Sequence, residues 1–342
     1  MSFLALAGGV GGARMAAGLA EALDHRGLTV AVNTGDDFTH LGLQVCPDLD
    51  TVMYTLAGLH DPQQGWGLAG ETWAFMAAMQ RLGGDTWFRL GDTDLATHVL
   101  RTRELAAGRT LSEVTATLCR RLGVRVSVLP MSDARVATLV DTDEGELAFQ
   151  DYFVRRHCEP VLRGLRFDGA ALAQPSPALT AALADPALQA IVIGPSNPFL
   201  SIAPMLAMAP LREALLSRCE ALVSRRVPCV AVSPIIGGDA VKGPLAKILR
   251  ERGEAPSPMA VARAYEGLID GLVVDRADAA LVPQLEAMGI AACVTDTLMR
   301  DDAVRRALAE TTLAFATGLR PARQAAPLPS GSHGFPESPQ VA

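Results

Sequence analysis

The sequence predicts an α/β fold: a doubly wound, mostly parallel, Rossmann-like sheet with a helical insertion. Three observations carry this. Short apolar runs of strand length recur along the chain. Several of them end in a loop rich in Gly, Asn, Asp or Ser. Helix-like stretches lie between them, the alternation expected when helices cross over between parallel strands.

The elements follow in order. Residues 3–7 form a first buried strand, and Gly8-Gly9-Val10-Gly11-Gly12-Ala13-Arg14 leads from it into an apolar helix. Residues 28–32 give a second strand, followed by the loop Asn33-Thr34-Gly35-Asp36-Asp37. Residues 49–59 read as a helix with Asp48 as its cap. A helical insertion is expected over about 61–121, which holds Trp66, Trp73 and Trp87. Residues 124–129 read as a strand, and 148–154 with 163–167 as short strands of a small second sheet. Residues 190–193, 229–232 and 272–274 are three further buried strands, the last followed by Asp275. One domain is expected over 1–320. The tail, 321–342, is rich in Pro, Gly, Ser and Gln and is expected to be disordered.

Bulk properties narrow the function. The chain has 342 residues, 49% of them hydrophobic, enough for a large core. A net charge of −7 argues against binding nucleic-acid backbones. The six cysteines show no Cys-x-x-Cys pair and no clustering with histidine, so neither a zinc site nor a disulfide framework is indicated. A reduced, cytoplasmic protein fits this usage. No basic leader is seen, and no apolar run reaches the roughly 18–20 residues of a membrane span.

The glycine loop is the most informative chemical feature. Residues without Cβ let backbone N–H groups approach a phosphate, and the following helix adds its positive end. Gly9, Gly11, Gly12 and Arg14 are the candidate phosphate ligands here. The loop is not a dinucleotide fingerprint, because Arg14 stands where glycine or alanine is needed, which disfavours an NAD-dependent oxidoreductase. Nor does it end in Gly-Lys-Ser/Thr. Gly194-Pro195-Ser196-Asn197-Pro198 and Ser233-Pro234-Ile235-Ile236-Gly237-Gly238 each follow a buried strand. Ser196, Asn197, Ser233 and Gly237 are therefore candidate phosphate or ribose ligands at the same sheet edge.

Asp36, Asp37, Asp48 and Asp50 concentrate carboxylates near that loop. Two carboxylates from neighbouring loops suit Mg²⁺, which keeps waters and substrate phosphates as its other ligands. Asp37 and Asp50 are the candidate metal ligands. Each aspartate alone is equally well explained as a cap or turn residue. Residues 87–94, Trp-Phe-Arg-Leu-Gly-Asp-Thr-Asp, combine aromatic and charged side chains able to line a pocket for a flat ring. Trp87, Arg89 and Asp92 come from this run, and His98 follows it closely.

Taken together, the segments resemble the 2-phospho-L-lactate transferases of coenzyme F-420 biosynthesis. The matching stretches include residues 7–14, 32–37, 47–54, 65–73, 90–98, 129–133, 194–198, 233–238 and 296–299, in family order. Pro-Asp-Leu-Asp-Thr and Ser-Pro-Ile-Ile-Gly are the most specific among them. The resemblance implies transfer of a phospho-acid (lactate, enolpyruvate or glycerate type) from its guanosine diphosphate ester to 7,8-didemethyl-8-hydroxy-5-deazariboflavin. GMP is the leaving product, Mg²⁺ the required ion, and a homodimer the expected assembly. It places deazaflavin binding on Asp50 and Arg89. Asp50 and Asp37 are the expected catalytic carboxylates, and Trp87, Asp92 and His98 the remaining deazaflavin contacts. A rival reading is a non-catalytic regulatory protein of related fold that binds a nucleotide sugar.

Overall fold

The computed structural model describes residues 1–219 and 227–319. Its centre is a seven-stranded sheet. The strands are β1 (Ser2–Ala7), β2 (Leu28–Val32), β3 (Ser127–Pro130), β4 (Leu188–Ile193), β5 (Cys229–Val232), β6 (Gly271–Asp275) and β7 (Ala291–Thr295). All neighbours pair in parallel. The order across the sheet is β7-β6-β5-β4-β1-β2-β3. Strand order therefore reverses between β1 and β4, the place where ligands bind in open α/β sheets.

The apolar strand sequences are explained by burial on both faces. Along β1, Leu4 and Leu6 enter one core while Phe3, Ala5 and Ala7 enter the other. Helix α1 (Gly9–Ala22) packs on the second face. Its Gly18 lets the closing helix Asp302–Gly318 approach: a Cβ there would lie 2.7 Å from the Arg305 carbonyl oxygen.

Between β2 and β3 the chain makes a long excursion. It contains a hairpin (Phe38–His40 with Leu43–Val45) and then α2 (Pro47–Leu56), α3 (Ala74–Arg81), α4 (Asp94–Ala106) and α5 (Leu111–Arg121). Thr110 and Glu113 start α5 with a reciprocal capping box. Between β3 and β4 lies a three-stranded antiparallel sheet of Gly145–Ala148, Ala137–Thr142 and Leu162–Asp168.

Several sequence expectations change. Asp48 is not the cap of its helix; it lies inside the first turn, because Pro47 starts α2 and Cys46 precedes it as the cap residue. Residues 151–155 form a short helical turn, not a strand. The 61–121 segment is interrupted by non-helical stretches at 61–73 and 82–93, punctuated by left-handed Gly65, Gly67, Gly70 and Gly83. The sequence reading missed strand β7, which is only partly buried, and the Phe38–Val45 hairpin, whose strands have three residues each. The tail beyond 320 lies outside the described residues.

Candidate active site

At the strand-order reversal the β1–α1 loop and the β4 loop interlock. A Cβ on Gly11 would sit 2.3 Å from the Pro195 carbonyl oxygen, and one on Gly12 would sit 2.5 Å from Ser196 Oγ. A Cβ on Gly8 would meet Ser201 Cβ at 2.6 Å. These three glycines are required by packing. Gly9 differs: its φ is +63°, and nothing lies within 4 Å of where its Cβ would be. It is the open face of the loop. Helix α1 has no side-chain cap and no acidic residue in its first turn.

The loop residues expected to bind phosphate are mostly engaged in shaping the edge. Ser196 Oγ accepts from the Gly8 N–H at 3.1 Å and donates to the Gly8 carbonyl at 2.9 Å. Asn197 Oδ1 accepts from the N–H groups of Phe199 and Leu200. Ser233 Oγ bonds the backbone of Ile235 at both its N–H and its carbonyl. The Gly237 N–H donates to Asp278 at 3.0 Å. Arg14 makes no ion pair with a carboxylate among the described residues. Burial, then the neighbouring Arg305, weakens its hold on its proton. A half-buried cation beside a second cation is the electrostatic complement of an anion.

The acidic loop after β2 adjoins this edge. Asp48 connects the two: its Oδ1 accepts from the Gly9 N–H at 2.7 Å, and its Oδ2 from Asn33 Nδ2 at 3.0 Å. Burial pushes the Asp48 carboxyl up to about 6. Burial and the adjoining Asp48 raise Asp36 well above the carboxylate range. Burial also raises Asp37, against the opposing pull of Cys46 and Arg101. One carboxylate oxygen of Asp36 and one of Asp37 are buried without a hydrogen-bond partner.

Asp50, two residues after Asp48 on α2, sits in a buried network of its own. Both its oxygens meet the Arg101 guanidinium: Nη1 reaches Oδ2 at 3.1 Å, and Nη2 contacts Oδ1. Arg101 and His98 are each 1% exposed. His98 Nδ1 lies 3.7 Å from Asp50, and its Nε2 lies 3.1 Å from Asp94. Tyr54 donates to the other Asp94 oxygen at 2.6 Å. Burial works against the Asp94 charge, but His98 and Tyr54 outweigh it and hold this carboxyl below the usual range. The spacing explains the assembly. Asp50 and Tyr54 are one turn apart on α2, and Asp94, His98 and Arg101 share one face of α4.

The aromatic side begins beside Asp37. Phe38 meets Phe88 edge-on at 4.8 Å, and Trp87 packs on His40 at 5.2 Å. Trp87 is thus held within an aromatic cluster. Arg89 is exposed and stacks 3.9 Å over the Trp73 ring. Asp92 accepts from the N–H groups of Ala74 and Phe75 at the start of α3. Its carboxylate therefore caps the start of α3, with the Thr72 hydroxyl as first stabiliser of its charge. Sequence reading missed Arg101, Asp94 and Tyr54. For Asp94 and Arg101 the signal was the polar i, i+4, i+7 stripe with His98 on α4; for Tyr54 it was the i, i+4 spacing from Asp50 on α2.

A glycine loop at the reversal of a doubly wound sheet stands beside an acidic edge and an aromatic segment, and the family of this fold is one of transferases. The chain belongs to the 2-phospho-L-lactate transferase CofD family, whose model matches residues 3–312. It is 45% identical over 327 residues to a phosphoenolpyruvate transferase of Kitasatospora aureofaciens, covering 94% of this chain and 99% of that one. It is 36% identical over 303 residues to the 2-phospho-L-lactate transferase of Methanosarcina mazei, covering 89% and 96%. A UPF0052-family protein from Bacillus halodurans shares the fold, with a TM-score of 0.53, 14% identity and coverage of 86% and 92%.

Proposed function

We propose that this chain joins a phospho-acid, delivered as its guanosine diphosphate ester, to 7,8-didemethyl-8-hydroxy-5-deazariboflavin in coenzyme F-420 biosynthesis, releasing GMP. The family match over nearly the whole chain supports the transfer. The carrying observation in the structure is the Asp48–Gly9 bond, which joins the glycine loop to the acidic edge. Donor diphosphate and acceptor hydroxyl can therefore meet at one place.

The acid in this reading is enolpyruvate. Its support is the higher identity to the Kitasatospora enzyme than to the Methanosarcina one.

The acceptor hydroxyl attacks the phosphorus bearing the acid, and the bond to the GMP oxygen breaks. Such a transfer asks the protein for positioning and charge stabilisation. Arg14 and the first turn of α1 take the diphosphate. In this reading Asp37 takes the hydroxyl proton on the carboxylate oxygen that does not hold Mg²⁺. Asp50 orients the acceptor. Arg89 on Trp73 offers a flat cationic platform for the deazaflavin.

Mg²⁺ fits the residues present. The unpartnered oxygens of Asp36 and Asp37 are hard donors in surroundings that penalise unbalanced negative charge. No group of three or more His, Cys, Asp or Glu among the described residues is disposed to hold a metal. Asp37 and Asp36 would hold it together with substrate phosphates, whereas both Asp50 oxygens already face Arg101. When bound, the ion would neutralise charge on the transferring group.

A homodimer belongs to the same reading and rests on the family resemblance; light scattering tests it. A cytoplasmic setting is supported by the five free cysteines among the described residues. No single helix among the described residues is long and apolar enough to cross a membrane.

The test is to incubate the chain with Mg²⁺, the deazaflavin and each guanosine diphospho-acid, and to weigh the product. An enolpyruvyl adduct is expected. A lactyl adduct alone would overturn the acid, and no adduct from any donor would overturn the transfer.

A further inference from the structure

The Arg101 guanidinium is the point where three elements meet. It holds both carboxylate oxygens of Asp50 on α2. It comes from α4, three residues after His98, whose Nδ1 lies 3.4 Å from Arg101 Nη1. The same Nη1 reaches the Gln44 carbonyl of the hairpin at 3.4 Å. Thr102, next on α4, accepts from the Gln44 N–H at 2.7 Å. The hairpin in turn carries Phe38 and His40, which pack on Trp87 and Phe88.

Charge alone does not demand this arrangement. Replacing a buried ion pair by apolar groups is often neutral or stabilising, so such a pair is weak evidence for stability. What it does supply is fixed geometry. A guanidinium engages a carboxylate with two parallel N–H groups, and this sets both the position and the plane of Asp50. An ammonium would fix neither.

We infer that Arg101 is a positioning residue for the acceptor. It acts through Asp50 and the hairpin, setting the acidic edge against the aromatic side. This rests on the transferase reading above. Among the described residues the hydrogen bonds of Arg101 go to Gln44, Asp50 and His98 and not to α1, where the proposed donor side at Gly9 and Arg14 lies, so the donor side should feel its loss much less.

The test compares wild type, R101M, R101K, D50N and D50N/R101M as full-length protein, with both substrates varied and melting temperatures recorded. For R101M the acceptor KM should rise about tenfold or more, as expected when one partner of a buried pair is removed. The donor KM should stay within about twofold, a difference small against RT-scale discrimination. R101K should recover part of the loss. In the D50N background, R101M should add little, because two residues acting through one contact are not additive. A fall in kcat alone with both KM values unchanged would reduce Arg101 to a structural role and overturn the inference. Full additivity with D50N would overturn it too. If R101M does not fold, R101K and the doubly neutral D50N/R101M give the same comparison. Deazaflavin binding, read by its own fluorescence, runs in parallel. Binding without turnover in wild type would sink the transferase reading, and Arg101 would then be judged on the binding ratio alone. No binding in wild type would remove both.

Discussion

The Asp48 carboxylate accepts from the Gly9 N–H at 2.7 Å, so an acid from α2 occupies the first turn of a helix that has no acid of its own. The contact is favourable to an anion at a helix start. Burial nevertheless dominates and raises the Asp48 carboxyl to about 6.

This fixes a sign for pH dependence. A carboxyl that binds its proton more tightly in the folded chain stabilises the fold only while protonated. Stability contributed by Asp48 is therefore present below about pH 4 and is lost as pH rises to about 6. The loss is about 3 kcal/mol. Asp36 and Asp37, raised mainly by burial, act in the same direction. Urea unfolding in chelator should show the advantage of D48N over wild type growing across this window. A difference that stays flat with pH would show that Asp48 remains ionised throughout.

Gly11→Ala should destabilise the chain by about 1–3 kcal/mol, the usual cost of overpacking. The added methyl would lie 2.3 Å from the Pro195 carbonyl oxygen, which is backbone and cannot swing away. Thermal unfolding measures it. An unchanged melting temperature would mean that the two loops are not locked together.

Arg14→Ala should weaken the guanosine-linked donor about tenfold to a hundredfold, the range of a lost charge-assisted hydrogen bond. Deazaflavin affinity should hold, since Arg89 and Trp73 lie elsewhere. Calorimetry with each ligand separates these. Equal losses for both would place Arg14 at a shared position.

Mg²⁺ should raise the melting temperature of wild type, and more at pH 7.5 than at pH 5.5, because protons compete for carboxyls raised by burial. D36N/D37N should abolish the rise. Chelation should stop turnover, and re-addition should restore it. A thermal response that survives in D36N/D37N would move the ion to another set of ligands.

The sheet was legible because each central strand but β7 announces itself by an apolar run and a loop of small polar residues. β7 (Ala291–Thr295) is only partly buried and lacks that contrast. The glycine loop was legible as a loop, but not the reason for each glycine. Gly11 and Gly12 are set by Pro195 and Ser196 in the loop after β4, far along the chain, and no local pattern reports such a neighbour. Ser196 and Ser233 illustrate the same limit: their side chains close on nearby backbone, a use that composition cannot separate from ligand binding. Asp50 was singled out by its local motif, whereas its buried partner Arg101 was not. A buried arginine looks like a surface one until the carboxylate that neutralises it is seen.

Asp92 closes the start of α3, and Glu71 closes the start of α4 by accepting from the N–H groups of Thr93 and Asp94. The two acids have traded helices across Gly91, where a Cβ would strike the Glu71 carboxyl at 2.2 Å. The stretch from 71 to 94 is thus knotted to itself at its base, like a drawstring pouch, with Trp73, Trp87 and Arg89 inside the tie. Because the seam at Glu71, Gly91 and Asp92 is made by residues other than these three, in the proposed reading the cover would keep its shape when the side chains facing the acceptor are changed.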